Sequence, residues 1–401
     1  MVQRVETIML KGRNKKEAQR LCHLSKNLYN AAQYEMRQSF IAGNRKSSYK
    51  ISAEFAKDNQ PDYRALPAHC SQQIINLLEN NWKAFFKSAK ERKNNPKKYK
   101  GIPKLPRYKK KDSYNILIIT SQQLGSKLTK QGCLKLPKGI GLNIKTRISL
   151  KHIKQIRIVP EATCFKCEIV YEKEIVENEN LNYENKISID LGVNNLAIMF
   201  INDEAFSSCT INGRPLKSIN QFYNKKLSML KSFVGYKSSK RIRNFTKRRN
   251  NKVKDYIHKA SRFIISLCEQ HHIGHLIIGK NDDWKQKSKM SKKVNQHFIG
   301  IPFEMLINQL IYKAEDVGII VELTEESYTS KNDHLAGEQI GHKEKYLGKR
   351  IHRGLFKSST GKVINADVNG AIGIMRKVVG ESLVSKIADS VGAFTPVIVT
   401  L

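Results

Sequence analysis

The sequence predicts an α/β protein in which helices pack on a mixed β-sheet. In the second half of the chain, Ile187, Ile189 and Leu191 alternate with polar residues, and a turn at 192–195 leads into a second apolar run. This pattern is typical of two adjacent strands. The elements predicted after them are a long helical block, a strand at 275–278, a helix at 303–314 and a strand at 319–323. Strands and helices in this order indicate an α/β layout.

The first half of the chain combines short strands with helices. Val5, Ile8 and Leu10 predict an N-terminal strand, and apolar residues at three- and four-residue steps predict helices that begin near Lys15 and near Cys70. Residues 114–175 return to short strands. Because the first strand can pair with these later strands, we predict a small β-barrel with an inserted helical domain.

The net charge of +37 arises from 72 Lys and Arg against 35 Asp and Glu in 401 residues. Such an excess repels itself unless a polyanion neutralises it, and the charge is spread along the chain rather than confined to a tail. The composition therefore predicts a nucleic acid partner rather than an acidic small molecule.

Two stretches concentrate the positive charge. Prolines at 96, 103 and 106 exclude a continuous helix from residues 90–111, which form an extended basic segment with interleaved tyrosines. Residues 217–254 carry thirteen Lys or Arg and no acid on a helical pattern, which indicates a nucleic-acid-facing helical hairpin. The residues predicted to bind nucleic acid, including those of three later loops, are Lys97, Lys98, Lys104, Arg107, Lys109, Lys240, Arg241, Arg243, Lys247, Arg248, Arg249, Lys280, Trp284, Lys331, Arg350 and Arg353.

Carboxylates occur where predicted elements end or begin. Asp190 ends a buried strand, Glu325 and Glu326 follow the strand at 319–323, and Asp367 lies in the first turn of a helix that Asn365 can cap. Hydrolysis of a phosphodiester is accelerated by two hard divalent cations held by clustered Asp and Glu. The sequence therefore suggests two Mg²⁺ or Mn²⁺ ions.

The seven cysteines are scattered and suit a reducing compartment. Cys164 and Cys167 form a CxxC motif without the second pair that a structural zinc site needs, and their surroundings predict a strand. Neither a membrane span nor a signal-peptide core is evident. We expect a cytoplasmic, nucleoid-associated protein.

Four motifs in order resemble the RuvC-like, RNase H-fold nuclease domain of the TnpB (OrfB) proteins of insertion sequences, the RNA-guided nucleases thought ancestral to type V CRISPR effectors. They lie at 189–197, at 278–286, at 325–331 and at 365–371. Stretches at 27–30, 63–68, 82–86 and 103–108 resemble the N-terminal half of the same family.

The resemblance implies a domain plan and a set of partners. The plan is a wedge β-barrel at 1–13 and 113–175, a helical recognition insertion at 14–112, a linker at 176–185, a RuvC-like nuclease domain at 186–327 and 364–401, and a target-nucleic-acid-binding insertion at 328–363. The implied partners are a guide RNA and a target double-stranded DNA with a short adjacent motif, bound by a monomer or by a dimer on one RNA. Asp190 and Asp367 would be the first and third catalytic, metal-binding acids.

The sequence departs from the family pattern at two places. The second acid is expected at the end of the strand before Trp284, where Gly279 stands instead. Either the chain is an inactive binder, or a neighbouring strand end supplies the acid; we predict that Glu326 does so, with Glu325 as the alternative. Residues 332–363 also lack the four zinc cysteines of many relatives, so we predict an insertion without zinc.

The leading hypothesis is thus an RNA-guided, metal-dependent DNA endonuclease. A nuclease-inactive RNA-guided repressor, a miniature type V CRISPR effector of the same descent, and a strand transferase acting in transposition are the alternatives.

Overall fold

The computed structural model describes residues 1–175, 178–202, 208–235, 237–281, 292–352, 354–380 and 395–401. These residues form two compact units, residues 1–174 and residues 175–401. No helix in the described part of the chain is long and apolar enough to cross a membrane.

The first unit is a four-stranded sheet with a helical block between its first two strands in sequence. Its elements are β1 (Val2–Leu10), α1 (Gly12–Ile41), α2 (Ser48–Lys57), α3 (Pro61–Arg64), α4 (Ala68–Asn94), β2 (Leu117–Thr120), β3 (Ile153–Pro160) and β4 (Phe165–Lys173). The strand order is β1-β4-β3-β2, with every pair antiparallel. Val2 pairs with Lys173 and Leu10 with Phe165, which confirms the predicted pairing of the first strand with the late strands. Closure of this sheet into a barrel stays a prediction.

The core of the first unit joins the helices to the sheet. Buried apolar residues of α1 and α4, such as Leu21, Leu28 and Leu78, belong to one cluster with Ile156 and Ile169 of the sheet. This shared core explains why a helical block can be inserted between strands without a core of its own.

The second unit is built on a six-stranded mixed sheet. Its elements are β5 (Asn182–Leu191), β6 (Asn195–Ile201), β7 (Cys209–Asn212), α5 (Arg214–Val234), α6 (Lys240–Gln270), β8 (Ile273–Gly279), α7 (Lys292–Gly300), α8 (Phe303–Glu315), β9 (Ile320–Thr324), β10 (Lys349–His352), β11 (Leu355–Lys357), β12 (Val363–Asn365), α9 (Ala366–Val379) and β13 (Val397–Val399). The strand order is β13-β7-β6-β5-β8-β9. The predicted α/β layout on a mixed sheet is confirmed.

The directions of the strands determine which strand ends lie at the same edge of the six-stranded sheet. β5 pairs antiparallel with β6, and β6 antiparallel with β7, whereas β8 and β9 run parallel to β5. The carboxyl ends of β5, β8 and β9 therefore lie at one edge of the sheet. β5 begins at Asn182, inside the linker predicted at 176–185.

Helices cover both faces of this sheet. Ile187 and Ile189 face a core that includes Ile257 of α6 and Leu310 of α8. On the opposite face, Ile277 of β8 packs in a second cluster with residues of α9. The alternation along β5 thus sends Ser188 and Asp190 toward α9, because successive side chains point to opposite faces.

Between residues 349 and 365, β10, β11 and β12 form a separate antiparallel three-stranded sheet. β12 ends at Asn365, so it crosses the predicted domain boundary between 363 and 364. Asn365 then caps α9, as predicted, by accepting hydrogen bonds from the amides of Asp367 and Val368.

Candidate active site

The carboxyl ends of β5, β8 and β9 are level with one another. Ile189 pairs with Ile278, and Ile278 pairs with Leu323. The next residue along β5 is Asp190, and the next along β8 is Gly279. This register places Asp190 beside Gly279 on the face of the sheet that α9 covers.

The Glu326 side chain occupies the space above Gly279. A Cβ atom added to Gly279 would lie 2.6 Å from both Cγ and Oε1 of Glu326, far inside van der Waals contact. Glu326 reaches this point from the turn after β9, where its amide donates to Oδ1 of Asn281 at 2.9 Å. The missing side chain at the end of β8 is therefore what admits a carboxylate from the neighbouring strand.

Asp190 is held against the first turns of α9. A Cβ atom on Gly370 would lie 2.8 Å from Asp190 Oδ2, so the carboxylate packs directly on the helix backbone. Ser188, two residues earlier on the same face, donates to the carbonyl of Ala371 at 2.7 Å. These contacts fix β5 on α9 next to Asp367.

Asp367 lies in the first turn of α9, where the positive end of the helix dipole favours a carboxylate. Its Oδ2 accepts from Asn195 Nδ2 at 2.8 Å, and its Oδ1 lies 3.4 Å from Arg350 Nη2. Asn195 begins β6, directly across the turn from Asp190. The turn after β5 therefore connects the first and third acids.

Burial and mutual repulsion perturb this group of acids. Burial, together with the charges of Glu326 and Asp367, raises the pKa of the Asp190 carboxyl well above its usual range. Burial raises the pKa of Glu326 to about 7, although the Lys377 ammonium acts in the opposite direction. Carboxylates that disfavour their own charge gain most from a cation placed between them.

Glu325 has different surroundings from Glu326. It is exposed, its side chain accepts a hydrogen bond from Ser327, and its backbone carbonyl accepts one from Lys377. Among the neighbouring charges, Glu326 has the largest effect on the pKa of Asp190. Of the two candidates for the second acid, the structure therefore brings Glu326 to the site.

The donor set fits a hard divalent cation. Asp190, Glu326 and Asp367 offer only carboxylate oxygens, the ligand type that Mg²⁺ prefers. Oε1 of Glu326 is buried without a hydrogen-bond partner among the described residues, so it has a lone pair to give. In the described part of the chain no three His, Cys, Asp or Glu side chains stand close enough to hold an ion by themselves. A Mg²⁺ ion commonly completes its shell with water and substrate phosphate.

The cysteines are all free and buried. Cys164 donates to Glu161 at 3.1 Å, and burial raises the pKa of Cys167 to about 12.

The basic residues of the first unit are mostly free to meet a ligand. Lys97, Lys104 and Arg107 are exposed. Lys98 is exposed but forms an ion pair with Glu91. Lys109 is turned inward, with its ammonium 5.0 Å from the centre of the Tyr29 ring.

The predicted basic residues of α6 divide into exposed and engaged side chains. Lys240, Arg241, Arg243 and Arg248 are exposed, and Lys247 is half-buried. Arg249 instead joins α5 to α7: it donates to Oδ1 of Asn220 and to the carbonyl of Gly300, and it lies over the Tyr223 ring. Burial lowers its pKa, so its main role in this structure is packing.

The remaining basic candidates lie near the acids or in the insertion. Lys280 forms an ion pair with Glu304 at 3.1 Å, and Lys331 is exposed with its ammonium near the Tyr346 ring. Arg350 contacts Asp367 directly. Trp284 and Arg353 lie outside the described residues.

Four site residues escaped prediction from the sequence: Ser188, Asn195, Asn281 and Gly370. Ser188 and Asn195 belong to the strand and turn around Asp190, and their types gave no chemical signal. Gly370, five residues after the cap of α9, carries a signal, because glycine inside a helix costs about 1 kcal/mol relative to alanine and needs a packing reason.

Two family models match the chain. The model described as OrfB_IS605, a probable transposase, matches residues 168–285, and the model described as the Cas12f1-like TNB domain matches residues 303–374. The first match contains Asp190 and Gly279, and the second contains Glu326 and Asp367.

Individual relatives share at most 25% sequence identity with this chain among those described below. A curated TnpB-like protein of Methanocaldococcus jannaschii is 25% identical over 174 residues, which cover 42% of this chain and 62% of that protein's length. Among solved structures, the Cas12f1–sgRNA–target DNA complex is 17% identical over 93% of this chain and 99% of that one, with a TM-score of 0.38. The mini-RNA-guided endonuclease CRISPR-Cas phi3 is 9% identical over 95% of this chain and 93% of that one, with a TM-score of 0.49. The two family models and the curated relative together show that the second half of this chain is similar to the TnpB and Cas12f1-like proteins.

Proposed function

We propose that this chain is an RNA-guided DNA endonuclease that hydrolyses target DNA with Asp190, Glu326 and Asp367 as the acids of a two-metal site. The observation that carries the proposal is the Glu326 carboxylate, which lies over Gly279 beside Asp190. An acid is thus present where the family expects one, although it comes from β9 instead of β8.

The strand arrangement supports a RuvC-like, RNase H-fold nuclease domain. Three antiparallel strands, β7, β6 and β5, are followed in the sheet by β8 and β9 running parallel to β5. The first acid is on the central β5, and α9 crosses the same face with the third acid. Ligands of open α/β sheets bind at the carboxyl ends of strands, where these acids lie.

The side chains have separable tasks. Asp190, which packs against α9, would hold two Mg²⁺ or Mn²⁺ ions together with Glu326 and Asp367. When bound, such ions stabilise the attacking and leaving oxygens of a phosphodiester. Asn281 orients Glu326, Asn195 orients Asp367, and Arg350 is placed to contact the DNA phosphate next to the site.

The guide RNA and the target duplex are proposed as partners from the similarity to TnpB and Cas12f1-like proteins and from charge. An excess of 37 positive charges suits a complex with two nucleic acids, in which base pairing supplies sequence specificity and the protein contacts backbone and shape. The same partners fit a miniature type V effector of common descent.

A guide-directed binder without cleavage is the second candidate. Gly279 at the expected acid position favours it, as does the lack, among the described residues, of three ligating side chains in close contact. It would protect its target from other nucleases and leave the strands intact.

The test separates the acids by matched substitutions. The protein is purified with the RNA from its native locus, the RNA is sequenced, and guide-matched duplex DNA is incubated with or without Mg²⁺. Asp190→Asn and Glu326→Gln should each lower the rate of cleavage more than about 100-fold. Substituting a residue that only orients a metal ligand lowers activity by at most about 100-fold, so a larger loss indicates a ligand. Glu325→Gln, the matched control one residue away, should cleave like the parent.

Thermal unfolding in EDTA distinguishes a lost metal ligand from a damaged fold. Asp190→Asn removes a buried carboxylate that its neighbours repel, so the metal-free variant should melt at the parent temperature or above it. Added Mg²⁺ should stabilise the parent more than the variant. Full cleavage by Asp190→Asn, or protection of the duplex without cutting by the parent, would contradict the endonuclease.

A further inference from the structure

The basic segment after α4 is held in place by buried side chains of α1. Lys26 donates to the carbonyl of Lys111 at 2.9 Å, and Gln33 donates to the carbonyl of Pro106 at 2.7 Å. Between them, Asn30 both donates to the carbonyl of Lys109 and accepts from its amide. Positions 26, 30 and 33 share one face of a helix, so they form a ladder along the segment.

The ladder is buried and well supported. Lys26 is 5% exposed and Gln33 is fully buried, and the oxygen of Gln33 accepts from the indole of Trp82 at 2.8 Å. Buried amide and ammonium groups must form hydrogen bonds, and here their partners are backbone atoms of the segment. The ladder therefore fixes the backbone of residues 106–111, while the side chains of Arg107 and Tyr108 stay exposed.

A groove of about 740 Å³ runs beside this segment. Aromatic rings of Tyr29, Phe85, Tyr99 and Tyr108 line it together with Lys104 and Arg107, and its lining includes no Asp or Glu. Tyr108 is 41% exposed, and the Arg37 guanidinium lies 5.8 Å from the centre of its ring. A cation over one face leaves the other face of the ring for a ligand.

We propose that this groove binds an unpaired stretch of nucleic acid, with a base stacked on Tyr108 and the phosphates along Lys104 and Arg107. Aromatic side chains next to basic side chains suit a single strand, because every unpaired base offers a flat face for stacking while its phosphates contact the basic groups. A duplex hides those faces inside its own stack and would meet only the charges. The inference rests on the nucleic-acid binding of the proposed function and not on its cleavage.

The ladder makes this surface preorganised. A segment that is already extended loses little conformational entropy when it binds, which lowers the cost of association. Lys26, Asn30 and Gln33 are thus positioning residues for nucleic acid, although their side chains reach only protein backbone.

Binding of labelled strands by the full-length, nucleic-acid-free chain tests the proposal without Mg²⁺. The probes are oligouridylate and oligothymidylate of about 12 nucleotides, within the usual site size for one domain, and a duplex of equal length. Tyr108→Ala should weaken single-strand binding about tenfold and leave duplex binding unchanged, whereas Tyr108→Phe should bind like the parent. Tyr49→Ala, which removes an 83% exposed tyrosine of the same unit, is the matched control and should have no effect.

Salt dependence separates the stacking residue from the phosphate contacts. Lys104→Gln should lower the slope of log affinity against log salt by about 0.7, the value for one phosphate contact to a single strand, while Tyr108→Ala leaves the slope unchanged. Tighter binding of uridylate than thymidylate assigns the groove to RNA, and the reverse assigns it to DNA. Equal affinities of Tyr108→Ala and Tyr49→Ala for the single strands would overturn the proposal. So would a Tyr108→Ala variant that loses as much affinity for the duplex as for the single strands. Either result would count whatever the outcome of the cleavage assays.

Discussion

At the scale of single residues, the site depends on an exchange between Gly279 and Glu326. Neighbouring parallel strands are about 4.8 Å apart, so a glutamate on the turn after one strand can reach the end of the next. It can do so only if that end has no side chain of its own, because the Glu326 carboxylate occupies the position of a Gly279 Cβ. The glycine and the glutamate are therefore expected to change together.

This exchange can be reversed by design. In Gly279→Glu combined with Glu326→Ala, the acid returns to β8 and the Glu326 side chain no longer blocks it. The flexible end of the Ile374 side chain, 2.5 Å from the new Cβ, must still shift, and we expect cleavage within about tenfold of the parent. Glu326→Ala alone should be inactive. The measurement is the initial rate of cutting of guide-matched duplex DNA in Mg²⁺.

The single Gly279→Ala substitution is the sharper control. Its methyl group would meet Glu326 and the side-chain end of Ile374, both within about 2.6 Å, so one of them must shift. We expect the glutamate to move and cleavage to fall, although no acid has been removed. Parent activity in Gly279→Ala would show that the position of Glu326 over Gly279 is not what catalysis needs. An inactive double variant that folds normally would show that an acid on β8 cannot replace Glu326.

Asp190 and Asp367 could be nominated from the sequence because they lie in motifs that resemble the TnpB family, and Glu326 because it follows a neighbouring strand in a chain that lacks the expected acid at Gly279. The sequence favours Glu326 but keeps Glu325 as an alternative, since either side chain of consecutive residues can face the site when the turn geometry is unknown. The supporting Asn281 and Gly370 act through contacts between elements far apart in sequence, which no local pattern reveals.

At the scale of elements, the insertion at 328–363 is attached to α9 by buried polar groups. The Asp333 carboxylate accepts from Ser358 and Ser359, and Glu338 accepts from the amide of Asp333. His334 contacts Arg376 of α9, whose guanidinium also donates to the carbonyl of Glu338. These bonds connect the two ends of the insertion, a task that zinc performs in many small domains.

His334 makes this attachment sensitive to acid. Its Nε2 lies 2.7 Å from the carbonyl of Thr329, which can only accept, so Nε2 carries the proton and Nδ1 accepts from Arg376. Burial lowers the pKa of His334 to about 4, and protonation of Nδ1 would set two cations against each other. The neutral imidazole is therefore the form that holds α9.

We expect the insertion to lose stability as the pH falls from about 6.5 toward 4. In that range the unfolded histidine binds a proton and the folded one does not, so the contribution is complete above pH 6.5 and declines by up to about 1.4 kcal/mol per pH unit below it. Hydrogen exchange of residues 333–338, corrected for the intrinsic rate at each pH, measures this loss. His334→Gln should flatten the profile, whereas His352→Gln, an exposed histidine of the same region, should leave it unchanged; equal profiles for both would contradict the assignment.

Most long elements could be predicted from periodicity, because their apolar residues recur on one face over many turns or over a whole strand. β7 and β13 were missed, since four and three residues are too few to show a period. The start of β5 was also placed too late: Asn182, Glu184 and Asn185 lack an apolar pattern, and pairing with the neighbouring strand decides their conformation.

At the scale of the whole molecule, charge is the feature that the sequence conveys most directly. Exposed Lys and Arg occur on the segment after α4, on α6 and in the insertion, so the positive potential is not the property of one element. A polyanion that contacts all of these would neutralise far more charge than any local ion pair in the structure, and surface pairs are worth little individually.

The free chain should therefore be stabilised by any agent that screens its self-repulsion. Raising NaCl from about 0.05 to 0.5 M shortens the screening length from roughly 14 to 4 Å, and we expect the melting temperature to rise by a few degrees. A short DNA duplex should produce a similar rise at low salt and a much smaller one at high salt, because salt weakens binding to phosphate. A melting temperature that falls with NaCl in the absence of nucleic acid would mean that ion pairs within the protein outweigh the repulsion between its 37 excess positive charges.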